Sequence, residues 1–257
     1  MRNISEEAVE RVIENMYLNL GEQLTIDDMA RTALFSKFHF SRIFRQVTGV
    51  SPGRFLSALR LQEAKRLLIS TTLTVADISN RVGYTSVGTF SSRFKSSVGL
   101  APSLYRQNRG VRARIPTDPR RNDWGTRSVS VAGHILPPED GTAGTVFVGL
   151  FPEPIPQGSP IRCTVLNGPG RYRLPRVPQG TWYVLAHSLP DGHDPLPADP
   201  FTADPVPWVG SHGPISIAAD TLPPSVDVRL RPMRVIDPPV LLALTDIRAN
   251  ALNATAG

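Results

Sequence analysis

Two stretches of the chain carry basic and small polar side chains beside phenylalanines at helical spacing. In the first stretch, one buried helix face is predicted from the recurrence of Phe40, Ile43, Phe44 and Val47. The other faces carry the candidate contact residues Lys37, Phe38, Ser41, Arg42 and Arg45. A guanidinium can donate two hydrogen bonds to a guanine edge, and basic side chains also bind phosphates. The chemistry expected of this stretch is contact with a nucleic acid.

The second stretch lies about fifty residues later and repeats the pattern with less charge. Phe90 and Phe94 take the places of Phe40 and Phe44. Its candidate contact residues are Ser86, Val87, Gly88, Thr89, Ser91, Ser92, Arg93 and Lys95. Only the last two are basic, so they are expected to supply the electrostatic attraction. Small side chains also let a backbone approach closely, which favours readout of DNA shape.

Each stretch is predicted to be the second helix of a helix-turn-helix, the helix that enters the major groove. Thr25 and Thr74 are expected to cap the first helices, because each has an aspartate three residues later. The two units are predicted over residues 25–48 and 74–98, and both end in G-x-x-P. The turn of the second unit is expected to be one residue longer.

One long helix is predicted between the two units, from Pro52 to about Ser70, because proline is tolerated in a first helical turn. A helix before the first unit and a short helix from Ser103 to Gln107 complete the prediction. The sequence therefore predicts an all-α domain over residues 1–110.

These motifs resemble the DNA-binding unit of the AraC/XylS family of bacterial transcription regulators, over about Val9 to Arg109. In that family one long helix joins two helix-turn-helix subdomains that bind successive major grooves. The resemblance implies a DNA-binding regulator, with the candidate contact residues on its two recognition helices. It also implies an unusual domain order, because the family more often has its DNA-binding unit last.

The second recognition helix departs from the family's pattern. The first has the family's S-R-x-F as Ser41-Arg42-Ile43-Phe44, but the second reads Ser91-Ser92-Arg93-Phe94. One step along a helix turns a side chain by about 100°. Arg42 is therefore expected to contact a base, and Arg93 a phosphate or a neighbouring carboxylate.

Charge and proline content divide the chain. Residues 1–121 contain 19 Lys+Arg and 10 Asp+Glu, net +9, and the remainder contains 9 and 12, net −3, which gives the total of +6. Only two of the 25 prolines precede residue 111. A nucleic-acid partner is expected for the first half alone. The arginine-containing segment between the halves, residues 111–126, is expected to be a solvated linker or, alternatively, a basic arm that contacts phosphates.

The second half has the alternating pattern of β-strands. Short segments between Gly/Pro turns predict a β-sandwich of about seven strands over residues 127–235. A tail follows over residues 236–257, in which Pro238 to Leu252 is expected to form a short helix or an edge segment. Residues 170–187, G-R-Y-R-L-P-R-V-P-Q-G-T-W-Y-V-L-A-H, resemble the hairpin signature of carboxypeptidase-regulatory or transthyretin-like domains. The predicted fold is a multidomain α + β chain whose all-α domain precedes an Ig-like or prealbumin-like sandwich.

Side chains with other chemistry are few. The group His187, Asp191, His193 and Asp194 matches no zinc spacing, so no metal and no other cofactor is expected. Cys163 alternates with Ile161 and Val165 and is expected to be a buried core thiol rather than a nucleophile.

Two aromatic residues of the first stretch have alternative interpretations. Phe38 either packs on a thymine methyl or a sugar, or covers the edge of the core. His39 is expected to pack on a helix rather than to take part in function.

The single cysteine favours a reducing compartment. The N-terminus is acidic and amphipathic, unlike a signal peptide, and no run approaches a membrane span. The protein is expected to be soluble and cytoplasmic, with no membrane partner.

We therefore expect a sequence-specific DNA-binding transcription regulator and not an enzyme. The expected partners are double-stranded DNA and RNA polymerase, with an unknown small-molecule effector or a second copy bound through the β-sandwich. Two alternatives stay open. The sandwich could catalyse a reaction that the DNA-binding half directs to DNA, or it could be purely an interaction module.

Overall fold

The computed structural model describes residues 4–110, 129–190, 206–218 and 225–242. The chain divides into a helical unit and a β unit. The helical unit comprises the chain up to Gly110 and also a distant segment, Arg234–Leu241. The fold is thus an α region followed by a β region, as the sequence predicts. The predicted linker over residues 111–126 lies outside the described residues.

The helical unit contains seven helices in its described part. They are α1 (Ile4–Leu18), α2 (Ile26–Ala33), α3 (Lys37–Thr48), α4 (Pro52–Ser70), α5 (Val75–Arg81), α6 (Val87–Val98) and α7 (Pro102–Gln107). Helices α2 and α3 form the first helix-turn-helix, and α5 and α6 form the second. Helix α4 is the predicted connecting helix, with Pro52 in its first turn.

The turns of the two helix-turn-helix units differ by more than the sequence predicts. Residues 34–36 separate α2 from α3, whereas residues 82–86 separate α5 from α6. The second turn contains one additional residue, and α5 ends one residue before the position that corresponds to the end of α2, so the difference is two residues. Gly83 has a φ of 82°, and a Cβ there would overlap the carbonyl oxygen of Leu20. The longer turn therefore depends on a glycine at its tightest point.

Aromatic rings form the core of each helix-turn-helix. In the first, the ring centroids of Phe40 and Phe44 lie 5.5 Å apart, and Phe44 lies 5.5 Å from Phe55 of α4. In the second, Phe94 lies 5.7 Å from Phe90 and 5.5 Å from Tyr105 of α7. The Phe90–Phe94 pair is tilted and the other three are edge-to-face, and contacts between aromatic rings add to the free energy of burial. The two units thus repeat in their packing as well as in sequence.

Two arginines bind the ends of the long helices. Arg60 donates from Nε to Leu20 O at 3.0 Å and from Nη2 to Glu22 O at 2.6 Å. Arg106 donates from Nε to Leu68 O at 3.0 Å and from Nη2 to Leu73 O at 2.6 Å. Carbonyls in the last turn of a helix, and those just after it, have no partner within the helix. Arg106 is therefore part of the helical unit.

The β unit consists of two sheets around a common core. The described strands are β1 (Val129–Leu136), β2 (Ala143–Phe151), β3 (Arg162–Leu166), β4 (Gly170–Val177), β5 (Gly180–Pro190), β6 (Trp208–Ile217), β7 (Val228–Arg229) and β8 (Arg231–Pro232). One sheet has the order β4-β1-β7 and the other β3-β2-β5-β6-β8. Their inner faces share a cluster that includes Val131, Leu174, Val148 and Val184. This arrangement is a β-sandwich.

The predicted last strand is split between the two sheets. β7 pairs in parallel with β1, and β8 pairs antiparallel with β6. Val226, Val228 and Leu230 alternate into the core, as the sequence predicts. The backbone changes sheet at Leu230, so neither strand exceeds two residues. Alternation fixes the buried side chains and leaves the choice of pairing strand open.

Cys163 does not face the main core, contrary to the sequence-based expectation. Its side chain is half-buried and packs, with Val165, on a second cluster formed by Phe147, Phe151, Leu185 and Leu242. Ile161 precedes β3 and packs on the main core instead. The alternation breaks because the strand begins only at Arg162.

Candidate nucleic-acid interface

The first recognition helix, α3, buries one face and exposes the predicted contact residues. Phe40, Ile43, Phe44 and Thr48 are buried, and Val47 is only half-buried. Lys37, Phe38, Arg42 and Arg45 are exposed, and Ser41 is half-buried. Helical periodicity places these side chains on the faces opposite the core, where they can reach a partner.

Two of the basic side chains of α3 already have partners within the helix-turn-helix. Lys37 Nζ lies 3.1 Å from Asp27 Oδ2 of α2. Arg42 Nη2 lies 3.3 Å from His39 Nδ1, and because a guanidinium only donates, the imidazole nitrogen accepts. Both contacts are exposed, so each contributes little to stability and can exchange for a contact with a ligand.

The two aromatic residues at the start of α3 are exposed. Phe38 has 88% of its surface exposed, which excludes the interpretation that it covers the edge of the core. His39 is exposed as well, and its ring stands edge-on to Phe35 with centroids 4.8 Å apart. His39 therefore packs on its neighbours although it is exposed, since its ring contacts Phe35 and the guanidinium of Arg42, which lies on the same helix.

The second recognition helix, α6, exposes uncharged side chains in its first half and two basic side chains after them. Phe90, Phe94 and Val98 are buried. The predicted contact residues Val87, Gly88, Thr89, Ser92, Arg93 and Lys95 are exposed, together with the N-cap Ser86, and Ser91 is half-buried. Ser86 Oγ accepts a hydrogen bond from Thr89 N–H at 3.3 Å, whereas Ser36 makes no such bond at the start of α3.

The phenylalanine register defines which residues of α3 and α6 correspond. Ser92 corresponds to Arg42, and Lys95 corresponds to Arg45. Arg93 corresponds to Ile43, which is only 9% exposed, yet Arg93 itself is exposed. Among the described residues no carboxylate lies within ion-pair distance of Arg93. The alternative in which Arg93 binds a neighbouring carboxylate is therefore without support.

Capping boxes fix the first helix of each unit. Thr25 N–H donates to Asp28 Oδ2 at 2.9 Å and Asp28 N–H donates to Thr25 Oγ1 at 3.2 Å. Thr74 and Asp77 make the same pair of bonds at 3.1 Å each. Hydrogen bonds from the threonine side chain, then from its backbone, lower the pKa of both aspartates. The predicted caps are confirmed, and the carboxylates are needed in their charged form.

The β unit offers little reactive chemistry in its described part. There, no group of three or more His, Cys, Asp or Glu side chains could hold a metal ion. Burial raises the pKa of the Cys163 thiol, which disfavours the thiolate. Ser225 Oγ donates to Asp227 Oδ1 at 3.1 Å, and His134 Nδ1 lies 3.6 Å from the same oxygen, with the His134 and Asp227 side chains both exposed. Of the metal-like group, Asp191, His193 and Asp194 lie outside the described residues.

Residues 29–108 match the family model described as "Helix-turn-helix domain". The HTH-type transcriptional activator AarP of Providencia stuartii is 38% identical over 88 residues, which is 34% of this chain and 65% of that protein. The RCS-specific HTH-type transcriptional activator RclR of Escherichia coli is 35% identical over 96 residues, which is 37% of this chain and 34% of that protein. The chain thus spans less than two thirds of the length of these relatives.

Solved structures also match part of the chain. The DNA-binding domain of AdpA, in complex with a target DNA, is 29% identical and covers 38% of this chain and 89% of that chain, with a TM-score of 0.38. A transcriptional regulator of Chromobacterium violaceum, with an AraC-type DNA-binding domain, is 28% identical. The match covers 41% of this chain and 94% of that chain, with a TM-score of 0.40.

The helical unit therefore contains a helix-turn-helix domain over residues 29–108 of the kind found in HTH-type transcriptional activators. The family model and the relatives support the expected helix-turn-helix region, since their descriptions name this motif. The resemblance of the β unit to transthyretin-like domains stays a prediction. No helix among the described residues has the length and apolar character needed to cross a membrane.

Proposed function

We propose that this chain is a sequence-specific DNA-binding transcription regulator of the AraC/XylS type. The observation that carries the proposal is the pair of helix-turn-helix units, each with a recognition helix whose polar face is open to solvent. Helix α4, with 19 residues, is about 28 Å long at 1.5 Å per residue. One turn of B-DNA is about 34 Å, so a helix of this length suits two units that bind successive major-groove segments.

The two recognition helices have different roles in this proposal. Arg42 contacts a guanine edge, Phe38 packs on a thymine methyl or a sugar, and Lys37 and Arg45 bind phosphates. These assignments are supported by the exposure of all four side chains on one helix. Helix α3 thereby supplies most of the direct base readout.

Helix α6 contributes mainly backbone proximity and shape readout. The small exposed residues Val87, Gly88 and Thr89 at its N-terminal end allow the helix backbone to lie close to the groove. Ser86, Ser91 and Ser92 donate hydrogen bonds, and Arg93 and Lys95 bind phosphates. The second half-site is accordingly expected to tolerate base changes better than the first.

Selection of duplexes from a random DNA pool with the full chain tests this proposal. The expected result is an enriched site with two blocks about 10 base pairs apart, of which one is more strongly constrained. Recovery of unenriched sequence would contradict sequence-specific binding. Two equally constrained blocks would contradict the division of roles between α3 and α6.

The β unit is proposed to sense a small-molecule effector or to dimerise, with RNA polymerase as a further partner of the whole protein. Its support is indirect, since the described part is a folded sandwich in which no group of three or more His, Cys, Asp or Glu side chains could hold a metal ion. Sedimentation of the full chain over a range of concentrations separates the two roles. A concentration-dependent dimer favours dimerisation, and a monomer at all concentrations contradicts it.

A further inference from the structure

The segment Arg234–Leu241, here called the strap, belongs to the helical unit although it follows the strands of the β unit in sequence. It contains neither helix nor strand. A turn begins it, in which Asp237 N–H donates to Arg234 O at 2.9 Å and Arg234 N–H donates to Asp237 Oδ2 at 2.7 Å. Ile236 and Leu241 are buried. The strap is therefore an ordered but irregular piece of the helical unit.

The strap contacts two helices of that unit. Arg234 Nη1 lies 3.0 Å from Glu6 Oε1 in the first turn of α1. Val240 O accepts a hydrogen bond from Lys65 Nζ of α4 at 2.9 Å. These contacts join residues 228 and 175 positions apart in the sequence. The strap thus contacts both α1 and the connecting helix.

Lys65 is an unusual residue to find beneath such a segment. It is only 5% exposed, and among the described residues its two hydrogen-bond acceptors are neutral, namely Val240 O and Gln62 Oε1, the latter at 3.3 Å. Burial is the sole cause that lowers its pKa, to about 7. A buried ammonium without a carboxylate is costly, and that cost is relieved when the amine reaches water. Burial of the Lys65 ammonium therefore destabilises the closed position of the strap.

The forces that hold the strap are modest. The ion pair of Arg234 and Glu6 is partly exposed, and pairs of this kind stabilise little. The burial of Ile236 and Leu241 supplies the larger favourable contribution, since apolar burial scales with the area removed from water. Segments with few regular hydrogen bonds open at lower free energy than the helices they cover.

We propose that the strap is a reversible cover of the connecting helix, which opens without unfolding of the helical unit and exposes Lys65 to solvent. This device goes beyond the proposed DNA binding and holds whether or not the unit binds DNA. Helix α4 links the two helix-turn-helix units and sets their spacing. A strap that opens and closes on α4 can therefore change how rigidly this spacing is held. The strap contacts α1 through Arg234 and the connecting helix α4 through Val240 O. Its opening would therefore remove a contact from the connecting helix.

The lysines of the chain make a direct test possible, because the sequence contains just three, Lys37, Lys65 and Lys95. The full chain is treated with the N-hydroxysuccinimide ester of acetic acid, and acetylation at each lysine is followed by mass spectrometry. Lys37 and Lys95 are exposed and serve as internal controls. In the wild-type protein Lys65 is expected to react at least about tenfold more slowly than Lys95, as a group reached only through local opening.

Variants of the strap and of α1 identify what covers the lysine. Ile236→Asp is expected to raise the acetylation rate of Lys65 about tenfold or more, and Arg234→Glu a few-fold, with Lys37 and Lys95 unchanged. The double variant Glu6→Arg with Arg234→Glu restores the pair in reverse and is expected to return Lys65 towards the wild-type rate. Glu7→Gln, an exposed change in the same turn of α1, is the matched control and should have no effect.

Hydrogen exchange in α3 and α6 distinguishes local opening from global unfolding, and it should stay at the wild-type rate in these variants. Acetylation of Lys65 as fast as Lys95 in the wild-type protein would overturn the proposal, because the strap would then not cover it. The proposal is equally overturned if Ile236→Asp leaves Lys65 protected. Loss of protection in α3 and α6 together with Lys65 would show that the strap is a fixed part of the fold rather than a reversible cover.

Discussion

At the scale of single residues, the two recognition helices differ most at the position of Arg42. The corresponding residue of α6 is Ser92, and the displaced Arg93 occupies a position that is buried in α3. An arginine one step away points about 100° around the helix. The two arginines are therefore not interchangeable in the proposed interface.

Arg42→Ala is expected to weaken binding to the selected site by about 1–3 kcal/mol and to relax specificity at one or two positions. Arg93→Ala is expected to weaken binding to all sequences alike, and to reduce the dependence of log K on log salt by about one. Both variants are titrated against the selected site and a scrambled duplex at several salt concentrations. A change in base preference caused by Arg93→Ala alone would reverse the two assignments.

Asp27 places a negative charge beside Lys37 at the proposed interface. Asp27→Asn is expected to raise the affinity for both selected and scrambled DNA about two- to fivefold at low salt, and less at high salt. The physical reason is that Lys37 no longer has to leave a carboxylate to bind phosphate. Fluorescence anisotropy with labelled duplexes measures the effect, and Glu7→Gln on α1 is the control. No change on Asp27→Asn would indicate that Lys37 lies away from the DNA.

At the scale of elements, the capping boxes stabilise α2 and α5, which support the two recognition helices. Thr25→Ala and Thr74→Ala are each expected to destabilise the helical unit by about 1 kcal/mol in urea unfolding. Lowered pKa values of Asp28 and Asp77 mean that their stabilisation is complete above the unfolded-state pKa near 3.8 and is lost as pH falls through the folded-state values. The effect of each substitution should therefore shrink in strong acid, because the bonds to the carboxylate weaken while the bond from the aspartate N–H to the threonine Oγ1 remains. A constant effect at all pH values would contradict the assignment.

Lys65 of helix α4 makes stability depend on pH in a different range from the two aspartates, because it is a buried base. Its folded-state pKa, about 7, lies below the usual value near 10.4, so the unfolded chain binds more protons between these values. The free energy of unfolding of the wild-type protein, relative to that of Lys65→Met, is expected to rise by about 2 kcal/mol between pH 7 and 9 and to stay level below pH 7. The other charged groups of the strap and its contacts, namely Glu6, Glu63, Arg66, Arg234 and Asp237, are unchanged in both proteins. Urea unfolding at each pH measures the difference, and parallel pH profiles would contradict the burial of the amine.

The elements of the helical unit could be predicted because their signals are local. Threonine caps, the proline at the start of α4 and the phenylalanine spacing mark the helices within a residue or two of their observed ends. The second turn is two residues longer than the first rather than one, since α5 ends at Arg81, one residue before the position that corresponds to the end of α2. The exposed ring of His39 has no sequence signal, because it depends on Phe35 and Arg42 together.

At the scale of the whole molecule, what escaped prediction depends on contacts between distant residues. Residues 238–252 are expected to form a short helix or an edge segment, yet those that the structure describes, 238–242, are irregular. The segment Arg234–Leu241 belongs to the helical unit. Alternation predicted the buried residues near Leu230 but not the change of sheet there. The face of β3 that holds Cys163 likewise depends on where the strand begins. In each case the local pattern is satisfied by more than one tertiary arrangement.

Binding of the full chain to the selected duplex and to a scrambled duplex of the same composition is the most direct test of a sequence-specific regulator. Titrations from 50 to 200 mM salt are expected to show at least about 1,000-fold tighter binding to the selected duplex. Both affinities should fall steeply with salt, since the basic side chains of α3 and α6 release counterions from the phosphates. Equal affinity for the two duplexes, or an affinity that does not change with salt, would contradict the proposed function.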